Sequence, residues 1–234
     1  MTLSTFQALV HSLYSGDANT PDSTSGEWSV RLNYLKAAIN AWDTSNGMFW
    51  NELYTLLSTA ADGTKTVSAS TLAYATPTDF RFLAGYVETY TVSNIRTKWK
   101  IIKPEEAALY TGEGVTTLED GYVYVTGNKK AGFYINFSSQ PTISDTIEYP
   151  YYKDAFEPST SAHVIEMSDP YFAVYFALSK LHEQDGEGDR ATYAMSQAES
   201  KLDAMKFLNA MKPNYQENSV QDSTVLRTGV GFGA

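Results

Sequence analysis

The last third of the chain contains SDPYFAVYFALSKLHEQDGEGDRATYAMSQAESKLDAMKFLNAMKP, residues 168–213. Its first half repeats apolar side chains at the three- and four-residue spacing of one helix face: Tyr171, Val174, Tyr175, Leu178 and Leu181. A second stripe follows in the second half: Ala191, Met195, Ala198, Leu202, Met205 and Leu208. Ser168 or Asp169 can cap the first helix ahead of Pro170, and Asp189 can cap the second after the glycine-rich break. We predict an antiparallel helical hairpin that stops before Pro213.

The N-terminal segment shows the same helical period twice. One stripe lies between Thr2 and Tyr14, before the stop at Ser15-Gly16: Leu3, Phe6, Leu9, Val10 and Leu13. A second helix is predicted from Trp28 to Thr44, with this apolar face: Leu32, Leu35, Ile39 and Trp42. We expect Arg31 and Lys36 on its solvated side and a stop at Asn46-Gly47.

Between these helical parts, short β-branched and aromatic runs alternate with turn residues, which is typical of a small β-rich domain. The predicted strands are Thr66–Ser70, Gly85–Tyr90, Thr97–Ile102, Tyr122–Thr126, Gly132–Phe137 and Thr146–Lys153. Pro77-Thr78-Asp79 and Pro104-Glu105-Glu106 each predict the start of a short helix, because proline is tolerated in a first turn. The type of the apolar segment from Phe49 to Leu57 stays open.

The sequence therefore predicts an α+β fold, in which helices from both chain ends pack with a central antiparallel β domain and an extended C-terminal tail follows. The expected segments are 1–62 (helical), 63–155 (β-rich), 156–212 (helical hairpin packed with 1–62) and 213–234 (tail).

The composition of the chain disfavours several classes of function. The formal net charge is −10 and no basic run is present, which disfavours sequence-specific binding to nucleic acid. The chain has no cysteine, which excludes disulfides and thiolate metal sites. No run approaches the ~20 apolar residues that span a bilayer, and we expect no signal peptide. Seventeen Tyr and eleven Phe suggest much buried or shared aromatic surface.

No motif for chemistry is found. The three histidines, His11, His163 and His182, lack zinc-site spacing, and neither a nucleophile elbow nor a phosphate-binding loop is present. The acidic break Asp185–Asp189 resembles a calcium loop, but the position that should supply the bidentate carboxylate is Ser196. We predict no metal, no cofactor and no enzymatic activity.

The tail ends in VLRTGVGFGA, residues 225–234, in which glycines alternate with Val and Phe. Two interpretations stay open: a disordered terminus, or an extended segment that binds a partner along a groove or sheet edge.

The order of elements resembles the head-to-tail adaptor (connector) proteins of tailed bacteriophages. Three stretches add to the likeness: Arg31–Trp42 followed by Phe49–Leu53, Tyr74–Phe80, and Thr146–Lys153 with the later run Ile165–Tyr171. These would be the second helix, a strand-to-turn segment, and the last strand with the linker into the helical hairpin.

The resemblance implies a structural subunit of the virion neck, assembled in the host cytoplasm. Such subunits form a ring, typically a dodecamer, between the portal protein and tail or nozzle proteins, and genomic DNA passes through the lumen without sequence-specific binding. No membrane is involved. By this resemblance the C-terminal tail grips the portal, here through Val225, Leu226, Arg227, Val230 and Phe232. An acidic lumen would let DNA slide.

Other functions stay open. The chain could be another tail-completion or tail-tube ring protein. A glycan-binding β module is a further alternative, and it would require the exposed aromatic rings to cluster in one groove.

Overall fold

The computed structural model describes residues 1–17, 19–47, 49–59, 64–112 and 121–211. Five α-helices lie within these ranges: Leu3–Ser15 (α1), Gly26–Asp43 (α2), Pro104–Gly112 (α3), Tyr171–Gln184 (α4) and Gly188–Met211 (α5). The strands are Tyr54–Leu56 (β1), Lys65–Thr66 (β2), Ala73–Ala75 (β3), Phe80–Leu83 (β4), Val87–Tyr90 (β5), Arg96–Ile101 (β6), Tyr122–Asn128 (β7), Gly132–Phe137 (β8), Thr146–Glu148 (β9) and Pro150–Lys153 (β10). The predicted α+β class is confirmed. None of the described helices combines the length and apolar character needed to cross a bilayer.

The described residues form two compact units, with boundaries at 52/53 and 154/155. The helical unit contains the residues before 53 and after 154, and in it α4 packs against α1, α2 and α5. The β unit contains residues from 53 to 154, including α3. The finer division into segments 1–62, 63–155, 156–212 and 213–234 stays a prediction.

Helix α1 forms because both of its ends are capped and one face is apolar. The Thr2 hydroxyl accepts the Thr5 backbone N–H at 3.2 Å. Gly16 takes a left-handed conformation (φ 72°), and its N–H reaches the Ser12 carbonyl at 3.0 Å. The boundaries predicted from the sequence are therefore correct to one residue.

Arg31 on α2 was expected in solvent, and that prediction is wrong: its side chain is 3% exposed. It occupies one position in the buried stripe of the helix, whose members are Trp28, Arg31, Leu35, Ala38, Ile39 and Trp42. The guanidinium Nη2 donates to Glu27 at 3.3 Å, and burial lowers the pKa of Arg31. Arg31 lies four residues before Leu35 on this buried face, and the prediction missed it because it assigned a charged residue type to solvent.

The β unit contains two sheets. The larger one has the strand order β2-β9-β5-β6-β7-β8-β3, and the smaller one β1-β10-β4. All pairings are antiparallel except β6 with β7, so the predicted antiparallel domain is mixed at one point. The core beneath the sheets is aliphatic and aromatic: Leu57, Val67, Phe80, Val87, Trp99, Val123, Ile135, Phe137, Ile147, Tyr149 and Tyr151.

Two strand predictions and one helix prediction need correction. The single strand expected over Thr146–Lys153 is two strands, because the chain leaves the larger sheet at Tyr149 and enters the smaller one. Pro77-Thr78-Asp79 starts no helix: a turn leads into β4, whose Phe80 ring stacks 5.6 Å from the buried Tyr151 ring. The strand expected over Thr66–Ser70 is limited to Lys65–Thr66. The helix expected at Pro104 is present as α3.

Candidate assembly surfaces

The residues predicted to bind a portal protein are Val225, Leu226, Arg227, Val230 and Phe232, and all of them lie outside the described residues. Their role stays a prediction.

The three histidines contact neighbours within the helical unit. His163 Nδ1 accepts the backbone N–H groups of Ser159 at 3.1 Å and Thr160 at 3.2 Å. His182 Nδ1 lies 2.7 Å from Glu187, and His11 lies 3.8 Å from both Asp17 and Glu27. Across the described ranges, no group of three or more His, Cys, Asp or Glu side chains is arranged to hold a metal ion.

The acidic break between α4 and α5 is occupied by protein contacts. Tyr14 donates its hydroxyl to Asp185, and this hydrogen bond raises the pKa of Tyr14 to about 12. Glu187 pairs with His182 and with Arg190, the latter at 3.1 Å. These carboxylates therefore tie the α4–α5 connection to α1 and to the start of α5.

The β5–β6 hairpin ends in a stiff tip, residues 91–95, which we call the hairpin tip. The Asn94 N–H donates to the Thr91 carbonyl at 2.8 Å, and the Thr91 N–H donates to the Ile95 carbonyl at 3.1 Å. Asn94 adopts φ 59°, a conformation that asparagine tolerates well in turns. On this framework Val92 is fully exposed (105%) and Ile95 is 68% exposed.

An ion cluster below the tip holds the hairpin in place. Arg96 Nη1 donates to Glu88 at 2.8 Å and to Glu148 at 2.7 Å, while Arg96 Nε donates to Asn94 at 3.2 Å. The two carboxylate side chains are 8% and 11% exposed, and their hydrogen bonds, first that of Glu88, raise the pKa of Arg96. The cluster joins β5, β6 and β9 beneath the exposed tip.

The end of the larger sheet that carries the hairpin tip has weakly charged loops. Strand register places three loops there: 67–72, 91–95 and 138–145. Within these loops the one charged residue is Asp145, which is buried (6% exposed), although 19% of the chain is charged. Besides the tip residues, Leu72 (42%) and Ile143 (55%) are exposed here. Depletion of charge combined with exposed aliphatic side chains is typical of the centre of a protein–protein interface.

The helical unit contains an apolar groove of about 360 Å³, which we call the helical groove. Its lining comes from α1, α4 and α5: Leu13, Tyr175, Leu178, His182, Asp189, Arg190, Tyr193 and Ala194. Leu178 and Ala194 are buried and form its floor, whereas Leu13 (52%) and Tyr193 (68%) stand exposed at its sides. Three polar residues, His182, Asp189 and Arg190, complete the lining.

The acidity is unevenly divided along the sequence. Residues 1–52 and 155–234 contain 16 acidic and 8 basic residues, a formal charge of −8. Residues 53–154 contain 11 acidic and 9 basic residues, a formal charge of −2. Most of the negative charge thus belongs to the part of the chain that supplies the helical unit.

Exposed aromatic rings occur on both units. On the smaller sheet, Tyr54, Tyr152 and Phe82 form a row across β1, β10 and β4, with Tyr152 at 5.8 Å and 5.1 Å from its two neighbours; Tyr54 is exposed and the other two are half-buried. On the helical unit the exposed rings include Phe49, Tyr171, Tyr193 and Phe207. The described exposed rings are therefore divided between the two units.

Neither the hairpin tip nor the helical groove was identified from the sequence. The turn between the predicted strands was visible, but the exposure of Val92 and Ile95 was not. Leu13 was predicted in the apolar stripe of the first helix, and no role was predicted for Tyr193. The sequence shows that three of its turn segments carry little charge, but it does not show the strand pairing that brings them together at one end of a sheet.

Comparison with protein-family models gives a match over nearly the whole chain. A family model described as "SU10 adaptor protein" matches residues 1–225. No curated protein shows a significant match to the chain.

Proposed function

Since the chain belongs to the SU10 adaptor protein family, a family of phage head-to-tail adaptors, we propose that it is a ring-forming subunit of the phage neck. The ring joins the portal to the tail and forms part of the channel through which DNA leaves the head. The match over residues 1–225 carries this proposal, because it includes both compact units and most of the tail.

Two surfaces support a role in assembly. The weakly charged sheet end carries exposed Leu72, Val92, Ile95 and Ile143, and the helical groove is an apolar recess on the other unit. A subunit in a closed ring must contact a neighbour on each flank, so it needs two different complementary surfaces.

The charge supports a channel role. DNA that must move through a ring is repelled by acidic walls and is not gripped by them. The helical unit, with most of the −10 charge, is the better candidate to line the lumen. The tail, through Val225 to Ala234, then docks on the portal.

Glycan binding has less support. A sugar-binding platform needs open aromatic faces gathered in one groove, whereas the described rings occur on both units. Within the row on the smaller sheet, Tyr152 is in contact with rings on both sides.

Electron microscopy of the full chain mixed with its cognate portal complex tests the proposal. We expect an added ring on the tail-facing side of the portal, with density that continues along the channel axis. A portal that stays unchanged at high concentrations of the chain would overturn the neck-adaptor function and favour a more distal tail position.

A further inference from the structure

Two complementary features lie on different units of the same chain. The hairpin tip presents Val92 and Ile95, which are 105% and 68% exposed, on a turn that its own hydrogen bonds hold rigid. The helical groove offers an apolar recess of about 360 Å³ with Leu178 and Ala194 as its floor. We propose that the hairpin tip of one copy inserts into the helical groove of the next copy around the ring. This inference rests on the proposed ring function.

Within a ring of identical copies, charge favours the hairpin tip over a second helical unit as the surface that meets the groove. Each copy carries −10, so two copies repel unless they meet at surfaces of low charge. A contact between two helical units would bring together two parts of formal charge −8. The hairpin tip, residues 91–95, is uncharged and belongs to the part of charge −2, so its contact with a helical unit avoids most of that repulsion.

Preorganisation favours the tip as the inserted element. Ordering a flexible loop on binding costs free energy, and a turn already held by hydrogen bonds avoids that cost. Thr91, Asn94 and Ile95 exchange backbone hydrogen bonds within the tip, and Arg96 anchors its base to Glu88 and Glu148. Val92 and Ile95 are left free to enter an apolar recess.

The polar rim of the groove suits the rest of the tip. Asp189 and Arg190 lie in the lining, and Ser93 and Asn94 flank the apolar tip residues with hydroxyl and amide groups. Neutral polar groups can hydrogen-bond to either charge, so the uncharged tip fits the mixed rim.

The geometry of such a contact is heterologous. The surface used on one copy differs from the surface used on its neighbour, so repetition produces a closed ring when the rotation closes. A tip-to-groove contact therefore generates the architecture that the proposed function requires.

Disulfide trapping tests the contact cleanly, because the chain has no cysteine of its own. The double variant Ile95→Cys, Tyr193→Cys should form rings on the portal complex that oxidise to covalent ladders of many subunits. The control pair Ile95→Cys, Leu208→Cys uses a site on α5 that is 58% exposed and about 22 Å further along the helix. It should give at least tenfold less cross-linked product.

The outcomes separate the inference from the function. Rings on the portal that cross-link through residues 95 and 193 support the inference. Rings that form but do not cross-link there, or that cross-link equally with the control pair, overturn it and leave the neck function intact. If no ring forms on the portal, the proposed function fails and the inference fails with it.

A charge substitution provides a second readout in the cysteine-free chain. Val92→Asp with Ile95→Asp should reduce ring formation on the portal at least tenfold, because two carboxylates would enter an apolar groove. Leu208→Asp, at a side chain that is 58% exposed, should have less than a twofold effect. Circular dichroism should show that the native chain, the tip variant and the Leu208→Asp variant are all folded. Unimpaired ring formation by the tip variant would overturn the inference.

Discussion

Trp50 donates its indole N–H to the backbone carbonyl oxygen of Trp42 at 2.8 Å, and the two ring centroids lie 5.2 Å apart. Both side chains are 1% exposed. Because Trp42 lies in the last turn of α2, this contact fixes the segment that leaves the helix, and Ser45 donates to the same carbonyl at 2.8 Å. The helical unit thus has an aromatic anchor at the point where the chain turns toward β1.

Substitution of Trp50 should lower the free energy of unfolding, and the size of the loss reports how tightly its ring is packed. Trp50→Ala should cost about 3–5 kcal/mol, because a large buried ring is removed. Trp50→Phe keeps part of the ring volume and loses the hydrogen bond, so it should cost about 1–2 kcal/mol. Urea unfolding measures both. A cost below about 1 kcal/mol for the alanine variant would show that the rings are not packed as described.

Arg96 and the two carboxylates of the ion cluster should depend on one another, so that substitutions at these positions have non-additive effects on stability. Arg96→Met should destabilise the protein, because the mostly buried Glu88 and Glu148 lose their shared partner. Adding Glu148→Gln should recover part of this loss, since one uncompensated charge disappears. Lys98→Met, at a side chain 80% exposed, is the control and should change stability by less than about 0.5 kcal/mol. Additive effects of Arg96 and Glu148 substitutions in chemical denaturation would contradict the coupling.

The contribution of Tyr14 to stability should be lost at high pH. Its hydrogen bond to Asp185 raises its pKa to about 12, against 10.0 for an ordinary tyrosine. A raised folded-state pKa gives stability that is fully present below the unfolded pKa and is lost as pH rises through the folded value. The native chain should therefore have a higher free energy of unfolding than Tyr14→Phe. This difference should be constant below pH 10 and disappear by about pH 12. A difference titration of phenolate absorbance between the two chains should show one group near that pH. A group that ionises near 10 instead would refute the hydrogen bond.

Two glycines of the β7–β8 hairpin should respond differently to alanine. Gly127 has φ 103°, and a Cβ there would clash with the backbone carbonyl oxygen of Gly132. Gly132 has φ 85° with no atom within 4 Å of an added Cβ. We expect Gly132→Ala to cost about 1–2 kcal/mol through backbone strain, and Gly127→Ala to cost about 1–2 kcal/mol more. Thermal unfolding measures the order, and equal costs would contradict the close approach at Gly127.

The C-terminal tail should be dispensable for folding and required for docking. Deleting residues 225–234 should leave the free energy of unfolding unchanged within about 0.5 kcal/mol and abolish binding to the portal complex. The matched full-length control Leu226→Ser, Val230→Ser, Phe232→Ser keeps the chain length and removes the apolar anchors, and it should also fail to bind. Loss of folding in the truncated chain would show instead that the tail is part of the core.

Part of the proposed assembly surface could be predicted from the sequence. The strands on both sides of the hairpin tip were predicted, and the turn between them was implied. The exposure of Ile95 was not predictable, because an alternating pattern does not reveal which loops another element covers. Leu13 fits the apolar stripe of α1 by spacing, yet it is 52% exposed at the side of the helical groove.

Local sequence by itself determined where the helices lie, to within about two residues at their predicted ends, and most of the strands; the cap predicted at Asp189 is wrong, because α5 already begins at Gly188. Capping residues, proline and glycine positions, and apolar periods of 3.6 and 2 residues act over a few neighbours, so they can be identified along the chain. They placed α1, α4 and α5 and the β7–β8 hairpin close to their observed positions.

Tertiary structure decided which elements pair or pack with one another and which side chains they bury. Strand pairing between distant segments split Thr146–Lys153 between two sheets, and packing of α2 against α4 and α1 buried the stripe that includes Arg31. Pairing partners and coverage depend on contacts across the whole chain, which no local period encodes. For the same reason, the sequence predicted amphipathic elements and an acidic balance, whereas the fold placed an uncharged tip on one unit and an apolar groove on the other.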